Sequence, residues 1–242
     1  MLALVTRPKE DSEAVAQALA SRGLAVMIEP LLDIQPIPEA SVDAAGVQGI
    51  LVTSANGIRA LARLHPDRAL PVWTVGDASA RVARDLGYTT VVSAGGDVET
   101  LAALVAERVD PTGGALLHAA GSVNAGDLSG HLAGLGYEVR RQVLYRAVTA
   151  ARLSPELEGV LDGGLLDLAL FFSPRTAATF ARLVTQAGRQ GNLARIKAYG
   201  LSANVTTELA PLAWKAVRQA AEPTQAALLA ALDHDLERGF PP

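Results

Sequence analysis

Leu51-Val52-Thr53-Ser54-Ala55-Asn56-Gly57 is an apolar, β-branched run that ends in a hydroxyl residue and leads into a helical pattern, and Leu170-Phe171-Phe172-Ser173-Pro174-Arg175-Thr176 repeats that plan. Ser54 and Ser173 stand 119 residues apart. Further out, Val75-Gly76-Asp77-Ala78-Ser79-Ala80 is echoed by Tyr199-Gly200-Leu201-Ser202-Ala203-Asn204, with the glycines 124 apart. The stretch from Leu4 to Ile34 is echoed by Leu117 to Ala147, where Leu19 and Leu132, like Gly23 and Gly136, are 113 apart. Small loop insertions between two copies produce this slow drift. A duplicated α/β unit predicts two similar lobes, and a cleft between lobes is a preferred place for a small-molecule site.

The composition narrows the chemistry. A chain of 242 residues, half of them hydrophobic, suits two domains of ordinary size or one large one, with a core that needs no staples. The absence of cysteine excludes disulfides, thiolate metal sites and cysteine nucleophiles. A formal net charge of −4 gives no broad basic field for nucleic acid. Met1-Leu2-Ala3-Leu4-Val5-Thr6-Arg7 turns polar too soon for a secretory signal, and no apolar run approaches a membrane span, so a cytoplasmic protein is expected. Without a secretory signal, Asn204-Val205-Thr206 is a chance match to a glycosylation acceptor.

Short β-branched runs alternate with helical patterns along the whole chain. Strands are predicted at Ala3–Thr6, Ala25–Ile28, Ile50–Thr53, Val72–Val75, Thr90–Val92, Ala115–His118, Glu138–Tyr145, Leu168–Phe172, Ile196–Tyr199 and Lys215–Val217. Helices are predicted at Asp11–Arg22, Ala55–Leu64, Ala78–Leu86, Val98–Arg108, Gly126–Leu135, Pro155–Leu161, Thr176–Ala187, Ala203–Leu209 and Thr224–Arg238. Ser154-Pro155 reads as an N-cap before proline at the first helical position, and Gly23, Gly87 and Gly136 fall where left-handed helix ends are expected. The fold class is α/β, with parallel sheets covered by helices on both faces. Two stretches stand apart, Leu31–Pro38 with its two prolines and the extended segment from Arg140 to Leu153. They follow equivalent strands of the two copies and read as paired linkers on which two lobes could hinge.

The common catalytic signatures are missing. Gly121-Ser122-Val123-Asn124-Ala125-Gly126-Asp127 has phosphate-loop glycine spacing but aspartate where lysine is required, and no G-x-G-x-x-G follows a strand. His65, His118, His131 and His234 lack metal-ligand spacing, and no G-x-S-x-G elbow is present. Six strand-to-helix turns instead carry small hydroxyl, amide or basic residues: Thr6-Arg7-Pro8, Ser54-Ala55-Asn56-Gly57, Asp77-Ala78-Ser79, Ala120-Gly121-Ser122, Ser173-Pro174-Arg175-Thr176 and Ser202-Ala203-Asn204. Such turns lie at the carboxyl ends of parallel strands, where ligands bind and helix N-termini favour anions. Each serine taken alone is an ordinary helix cap. Arg7 could clamp a carboxylate, or be a plain exposed arginine. Tyr145, between Leu144 and Arg146, is either a packed tyrosine or a neutral donor and weak general acid at a cleft wall. His118 reads as a satisfied core or rim histidine, and Trp73 and Trp214 as packing.

Taken in order, Val5-Thr6-Arg7-Pro8, Val52 to Gly57, Val75 to Ala80, the L-x3-G-x2-V-x5-Y run from Leu132 to Tyr145, Phe171-Phe172-Ser173-Pro174 and Glu222-Pro223-Thr224 before a helix resemble the uroporphyrinogen-III synthase family across nearly the whole chain. The resemblance implies that the first strand–helix–strand joins the C-terminal half. One domain is then 1–34 plus 148–242 and the other 37–145, with a two-stranded linker near 35–36 and 146–147. It implies a cofactor-independent hydro-lyase that closes linear hydroxymethylbilane to uroporphyrinogen III, inverting the last pyrrole ring and losing water. Tyr145 takes the family's catalytic position, and the acetate and propionate groups of the substrate suit turns at Arg7, Ser54, Asn56, Ser79, Ser122, Ser173, Arg175 and Ser202. No cofactor and no metal are expected. The expected partners are the substrate and, transiently, the enzyme that supplies it, with no nucleic acid and no membrane. Two internal lobes remove the need for a dimer, so a monomer is expected. The chain departs from the pattern at Gly126, where an arginine is frequent, and at Ala203, which replaces a hydroxyl residue. Two rival readings share the two-lobed logic. One is a non-catalytic sensor that closes on an anionic small molecule; the other is a sugar- or nucleotide-handling transferase, which tight nucleotide or metal binding would favour.

Overall fold

The computed structural model describes residues 1–123 and 126–239. In chain order, the first elements are β1 (Leu2–Val5), α1 (Lys9–Ala20), β2 (Ala25–Ile28), β3 (Leu32–Pro36), β4 (Val47–Val52), α2 (Ala55–Leu64), β5 (Val72–Thr74), α3 (Asp77–Asp85) and β6 (Val91–Ser93). There follow α4 (Val98–Arg108), β7 (Ala115–Gly121), α5 (Leu128–Gly134), β8 (Val139–Thr149), α6 (Pro155–Asp162), β9 (Leu168–Phe171) and α7 (Pro174–Gln186). A 3-10 helix at Gln190–Arg195 leads to β10 (Lys197–Gly200), α8 (Ala203–Leu209), β11 (Ala216–Gln219) and α9 (Gln225–Glu237).

The chain divides into two compact units, one formed by Met1–Asp33 with everything from Val148 onward, the other by Ile34–Ala147. The first holds a five-stranded sheet in the order β2-β1-β9-β10-β11, the second a six-stranded sheet in the order β3-β8-β7-β4-β5-β6. The pairs from β2 to β11 and from β8 to β6 are all parallel. On the sequence repeat, β1 corresponds to β7, β2 to β8, β9 to β4, β10 to β5 and β11 to β6. With these equivalences the two orders coincide. In each sheet the direction of growth reverses once, between β1 and β9 and between β7 and β4, and such reversal points open a crevice at the strands' carboxyl ends.

Period-two alternation buries both faces of each sheet. In the first unit Leu4, Ala169, Phe171 and Ala198 face α6, α7 and α8, with Phe180 and Trp214 stacked at 5.6 Å and Phe171 edge-on to both. Ala3, Val5, Leu168, Leu170 and Tyr199 face α1 and α9 on the other side. In the second unit Ile50, Val52, Leu117 and Ala119 pack on α2 and α3, and Leu51, Trp73 and Leu116 pack on α4 and α5. Gly23, Gly87 and Gly136 have φ of 76°, 89° and 88° at helix ends, as the sequence pattern predicts.

Several elements differ from the sequence reading. The proline-containing stretch after β2 is a strand, β3, because it occupies the sheet edge beside β8, where Pro36 at its end needs no ladder donor on the open side. Ile37 N–H donates to Leu144 O (3.4 Å) and Ala150 N–H to Leu31 O (3.1 Å) beyond the two ends of this pair. The 3-10 helix has no apolar period long enough to announce it. Helix α1 begins two residues early because Pro8 adopts φ −50°, ψ 145° and its carbonyl accepts from Asp11. Proline at the first position likewise starts α7 at Pro174. Helix α5 is shorter than predicted and capped by Asp127. Asn124 and Ala125 of the glycine-spaced loop lie outside the described residues.

Ionisable side chains are buried in both units. Lys197 and Asp235 are 1% and 2% exposed, and one Asp235 oxygen accepts from Lys197 Nζ (3.2 Å), Tyr199 Oη (2.8 Å) and Arg218 Nε (3.4 Å). Burial alone would raise the Asp235 carboxyl, but hydrogen bonds from Tyr199 and Lys197, together with the charges of Arg218 and Lys197, hold the group below its ordinary value. Burial, and then the bond to Asp235, drive the Tyr199 phenol upward. His118, expected to be satisfied, is not. It is 7% exposed, and among the described residues neither ring nitrogen has a partner, nor does Nε of Arg141, its register neighbour on β8. The small side chains of Ala119 and Ala120 beside it offer no acceptor. Desolvation, and then the Arg141 charge, lower its pKa to about 4.

Asp235→Ala leaves a buried lysine without its carboxylate and should cost about 3–5 kcal/mol. Urea denaturation measures this, and a loss within experimental error contradicts it. For His118, the unfolded imidazole protonates near 6.5 and the folded one only near 4. The unfolded chain therefore binds the extra proton as pH falls through this window, and stability is lost from pH 6.5 downward by roughly 3 kcal/mol in total. Above pH 6.5 both states are neutral and the residue adds no pH dependence. The urea-midpoint difference between wild type and His118→Leu should therefore change across pH 4–7, and a constant difference overturns the account.

Candidate active site

The reversal point of the second unit lies between β7 and β4, and its chemistry comes from three adjacent strands. Ser54 caps α2 in extended conformation (φ −153°, ψ 154°), and its Oγ accepts from Gly57 N–H at 3.4 Å. The helix can start this close to the sheet only because residue 57 is glycine, since a Cβ there would collide with the carbonyl oxygen of Ala119 on β7. Ser54 Oγ also lies 2.9 Å from Tyr145 Oη on β8. Tyr145 is 8% exposed, and its own carbonyl accepts from Ser122 N–H at 2.9 Å. Thus two of the residues singled out from sequence, Ser54 and Tyr145, are joined by their side chains, and a third, Ser122, is joined by its backbone with its side chain exposed.

The other two candidates of this unit stand on their own turns. Asn56, half-buried in the first turn of α2, accepts from Arg59 Nη1 at 3.2 Å. Ser79 is buried at the third position of α3, with Gly76 rather than Asp77 as the N-cap, and its N–H donates to Gly76 O. The acidic Asp77 occupies the first turn of α3, where its charge counts against an incoming anion.

In the first unit the reversal point lies between β1 and β9. Arg7 follows β1; its Nη1 donates to Gln225 Oε1 (3.3 Å), its Nη2 lies 3.7 Å from Asp11 Oδ2, and its guanidinium sits 4.5 Å from the centroid of Phe172. Ser173 caps α7, with Oγ accepting from Thr176 N–H (3.2 Å) and 2.6 Å from Thr176 Oγ1. Arg175 is half-buried at the second position of that helix. Ser202 caps α8 through its backbone alone. The first backbone N–H groups of α2 and α8, and that of Arg175 behind Pro174 in α7, have no intrahelical acceptor, as at any helix start. Among the described residues no group of three or more His, Asp or Glu side chains is placed to hold a metal ion, and no helix is long and apolar enough to cross a membrane.

Sequence reasoning named Gly57 and Gly121 only as members of candidate turns, without a packing role, and missed Arg141. Arg141 Nη2 donates to Gly121 O at 2.6 Å, and a Cβ on Gly121 would meet the Tyr145 ring. The one available signal was glycine inside the first turn of a helix, a poor helix former that marks a close approach.

The comparisons add a family to this geometry. Residues 13–230 match the family model described as uroporphyrinogen-III synthase HemD. A comparison with curated protein sequences returns no match. Among solved structures, the chain is similar to uroporphyrinogen-III synthetase from Helicobacter pylori, with a TM-score of 0.64, 14% identity and coverage of 97% of this chain and 98% of that one. It is also similar to a mutant uroporphyrinogen III synthase from the extremely thermophilic bacterium Thermus thermophilus, with a TM-score of 0.59, 19% identity and coverage of 98% and 99%. At these identities the two structures speak for the shared α/β fold, while the family model spans the chain from α1 into α9; the chain belongs to the uroporphyrinogen-III synthase family.

Proposed function

We propose that this protein closes hydroxymethylbilane to uroporphyrinogen III with inversion of the terminal pyrrole ring and loss of water, and that Tyr145 supplies the proton for the departing hydroxyl. Family membership carries the reaction. The 2.9 Å contact between Ser54 Oγ and Tyr145 Oη supports the assignment of the proton.

The substrate is reactive and closes unaided to the uninverted isomer, so catalysis is a matter of which closure is faster. Positioning, and stabilisation of charge as it develops, decide that. When Ser54 donates its hydroxyl proton to the Tyr145 oxygen, the phenol's own proton is free for the substrate. The carbon–oxygen bond of the hydroxymethyl group breaks, the phenolic proton leaves with that oxygen as water, and positive charge spreads over the adjoining pyrrole. The terminal ring attacks this centre through its substituted α-carbon, giving a spiro intermediate; the bond from that carbon to the neighbouring methylene then breaks and leaves the positive charge on the preceding pyrrole. The terminal ring's free α-carbon closes onto that methylene, which inverts the ring, and the proton it releases as this carbon–carbon bond forms restores the phenol. The Ser54 hydrogen bond stabilises the phenolate in between.

The acetate and propionate groups are received by helix-start turns, at Ser54, Asn56, Ser79, Ser122, Ser173, Arg175 and Ser202, with Arg7 and Arg175 matching their charge. The domains are 1–34 with 148–242, and 37–145. The paired crossings near 35–36 and 146–147 serve as the two-stranded linker. The protein works as a cytoplasmic monomer, without a metal or cofactor, and meets the enzyme that supplies its unstable substrate only transiently.

Freshly generated hydroxymethylbilane mixed with the purified protein should yield type III product after oxidation and separation; type I product alone, at the protein-free rate, overturns the reading. Tyr145→Phe should lower turnover by roughly 100-fold and raise the type I share, and unchanged turnover and isomer ratio would remove its role. Ser173→Ala or Ser202→Ala, one contact among many, should change kcat/KM by only a few-fold, about 1 kcal/mol. Ser54→Ala should exceed both, because it also removes the serine hydroxyl that lies 2.9 Å from the phenol oxygen, and equal effects in all three variants would contradict that ordering.

A further inference from the structure

Tyr145 should not reach Ser54 by ordinary strand geometry. The β7–β8 register runs Leu116 to Val139, Leu117 to Arg140, His118 to Arg141, Ala119 to Gln142 and Ala120 to Val143, then jumps to Gly121 opposite Tyr145, leaving Leu144 unpaired. In an unbroken strand Tyr145 shares a face with Val139, Arg141 and Val143, which is the side packed on α4 and α5. The extra residue turns it over. Leu144 and Tyr145, which strict alternation would send to opposite faces, both pack in the cluster that covers α2 and α3. On that side Tyr145 still starts two strands away from Ser54, a span of about 10 Å at the usual strand spacing. Its ring therefore crosses the end of β7, and the residue beneath it is Gly121.

We infer that Gly121 and the adjoining β-bulge are positioning elements for the reaction: they steer the Tyr145 phenol onto Ser54, and Gly121 lacks a side chain so that the ring can lie across its α-carbon. A Cβ at residue 121 would lie 2.7 Å from Tyr145 Cζ, 2.8 Å from Cε2 and 2.9 Å from Oη. All three atoms belong to a ring packed in the core, so the phenol end itself has to move. Gly121 is not among the glycines with positive φ, so alanine meets no backbone strain and the side-chain clash is its whole effect. The Arg141 guanidinium holds the platform by donating to the Gly121 carbonyl at 2.6 Å, and Ser122 N–H holds the Tyr145 carbonyl at 2.9 Å. The inference rests on the proposed part of Tyr145 in the synthase reaction.

The test is a double-mutant cycle of Gly121→Ala and Tyr145→Phe, with kcat, KM and the type III to type I ratio read for wild type, both single variants and the double. Displacement of a reacting group by an ångström costs about 100-fold. Gly121→Ala is therefore expected to lower kcat by roughly 10- to 100-fold, leave KM within about twofold and shift product toward type I. In the Tyr145→Phe background, where there is no phenolic proton left to misplace, the same substitution should change kcat by less than twofold. A folded Gly121→Ala variant with wild-type kcat and isomer ratio overturns the inference, as do losses that multiply independently in the double variant. Arg141→Met releases the clamp without adding volume beneath the ring and is measured in the same cycle. It should give the same split between kcat and KM, and it decides the matter if Gly121→Ala does not fold. Wild type that forms no type III product overturns the synthase reading and this inference with it; type III from wild type with indifferent Gly121 and Arg141 variants overturns this inference alone.

Discussion

Burying both faces of a parallel sheet leaves very little backbone or side chain free for chemistry, and that constraint governs the rest of this structure. Leu51, Ile50, Leu116 and Leu117 are all consumed by packing on one side or the other. Polar function is therefore displaced to the carboxyl edge, where each strand hands over to a helix and the first amides of that helix remain open. At that edge the elements must come very close together. Gly57 lets α2 start against the Ala119 carbonyl, and Gly121 lets a tyrosine pass over a strand end. Removing side chains at two points is what allows a phenol and a serine hydroxyl from non-neighbouring strands to meet.

The duplication carries the same scaffold into both units but not the same site. Ser54 and Ser173 occupy equivalent turns and both cap their helices through the third amide. Beyond the cap they part. Ser54 adds the Tyr145 phenol, whereas Ser173 adds the hydroxyl of its own helix residue Thr176. In the first unit the corresponding edge is furnished with charge instead, by Arg7 lying on Phe172 and by Arg175. A repeated backbone carries a serine–tyrosine pair at the edge of one unit and arginines at the edge of the other.

Most of the architecture was legible because it depends on periodicity, which a single sequence displays. The alternation of apolar runs with helical patterns pointed to the parallel α/β class, the repeat offsets matched strand with strand, and Gly23, Gly87 and Gly136 marked helix ends. The strand β3 was hidden because the prolines of Leu31–Pro38 argue against an interior strand, and only an edge position makes Pro36, its last residue, harmless. The candidate site was legible as a set of turns and as Tyr145, since small hydroxyl residues at strand ends and a tyrosine in an extended segment leave a local trace. The Ser54–Tyr145 contact was not legible, because it depends on one unpaired residue at Leu144. A bulge is a disagreement in count between two strands that are distant in sequence, and neither strand shows it alone. His118 was misread for a related reason: sequence placed it in the core, but whether a buried imidazole finds a partner depends on which neighbours the register supplies, here Leu51 on β4 and the cation of Arg141 on β8.

The place of β1 in its sheet has a consequence for how the molecule is made. It lies between β2 and β9, with Leu2 N–H bonded to Asp167 Oδ2 across 165 residues of chain. Residues 34–147 form a contiguous unit and can assemble as soon as they leave the ribosome, while β1, α1 and β2, already synthesised, have no second neighbour. Domains emerging from the N-terminus usually fold first; here the N-terminal segment waits with an open strand edge until β9 arrives. Closing so long a loop adds little free energy when the intervening unit is already compact, because loop entropy grows only logarithmically with length. It does add time. A nascent chain of this protein passes through an interval in which its middle is finished, its first strand has a neighbour on one side only, and the other edge of β1 is open to any strand that comes near.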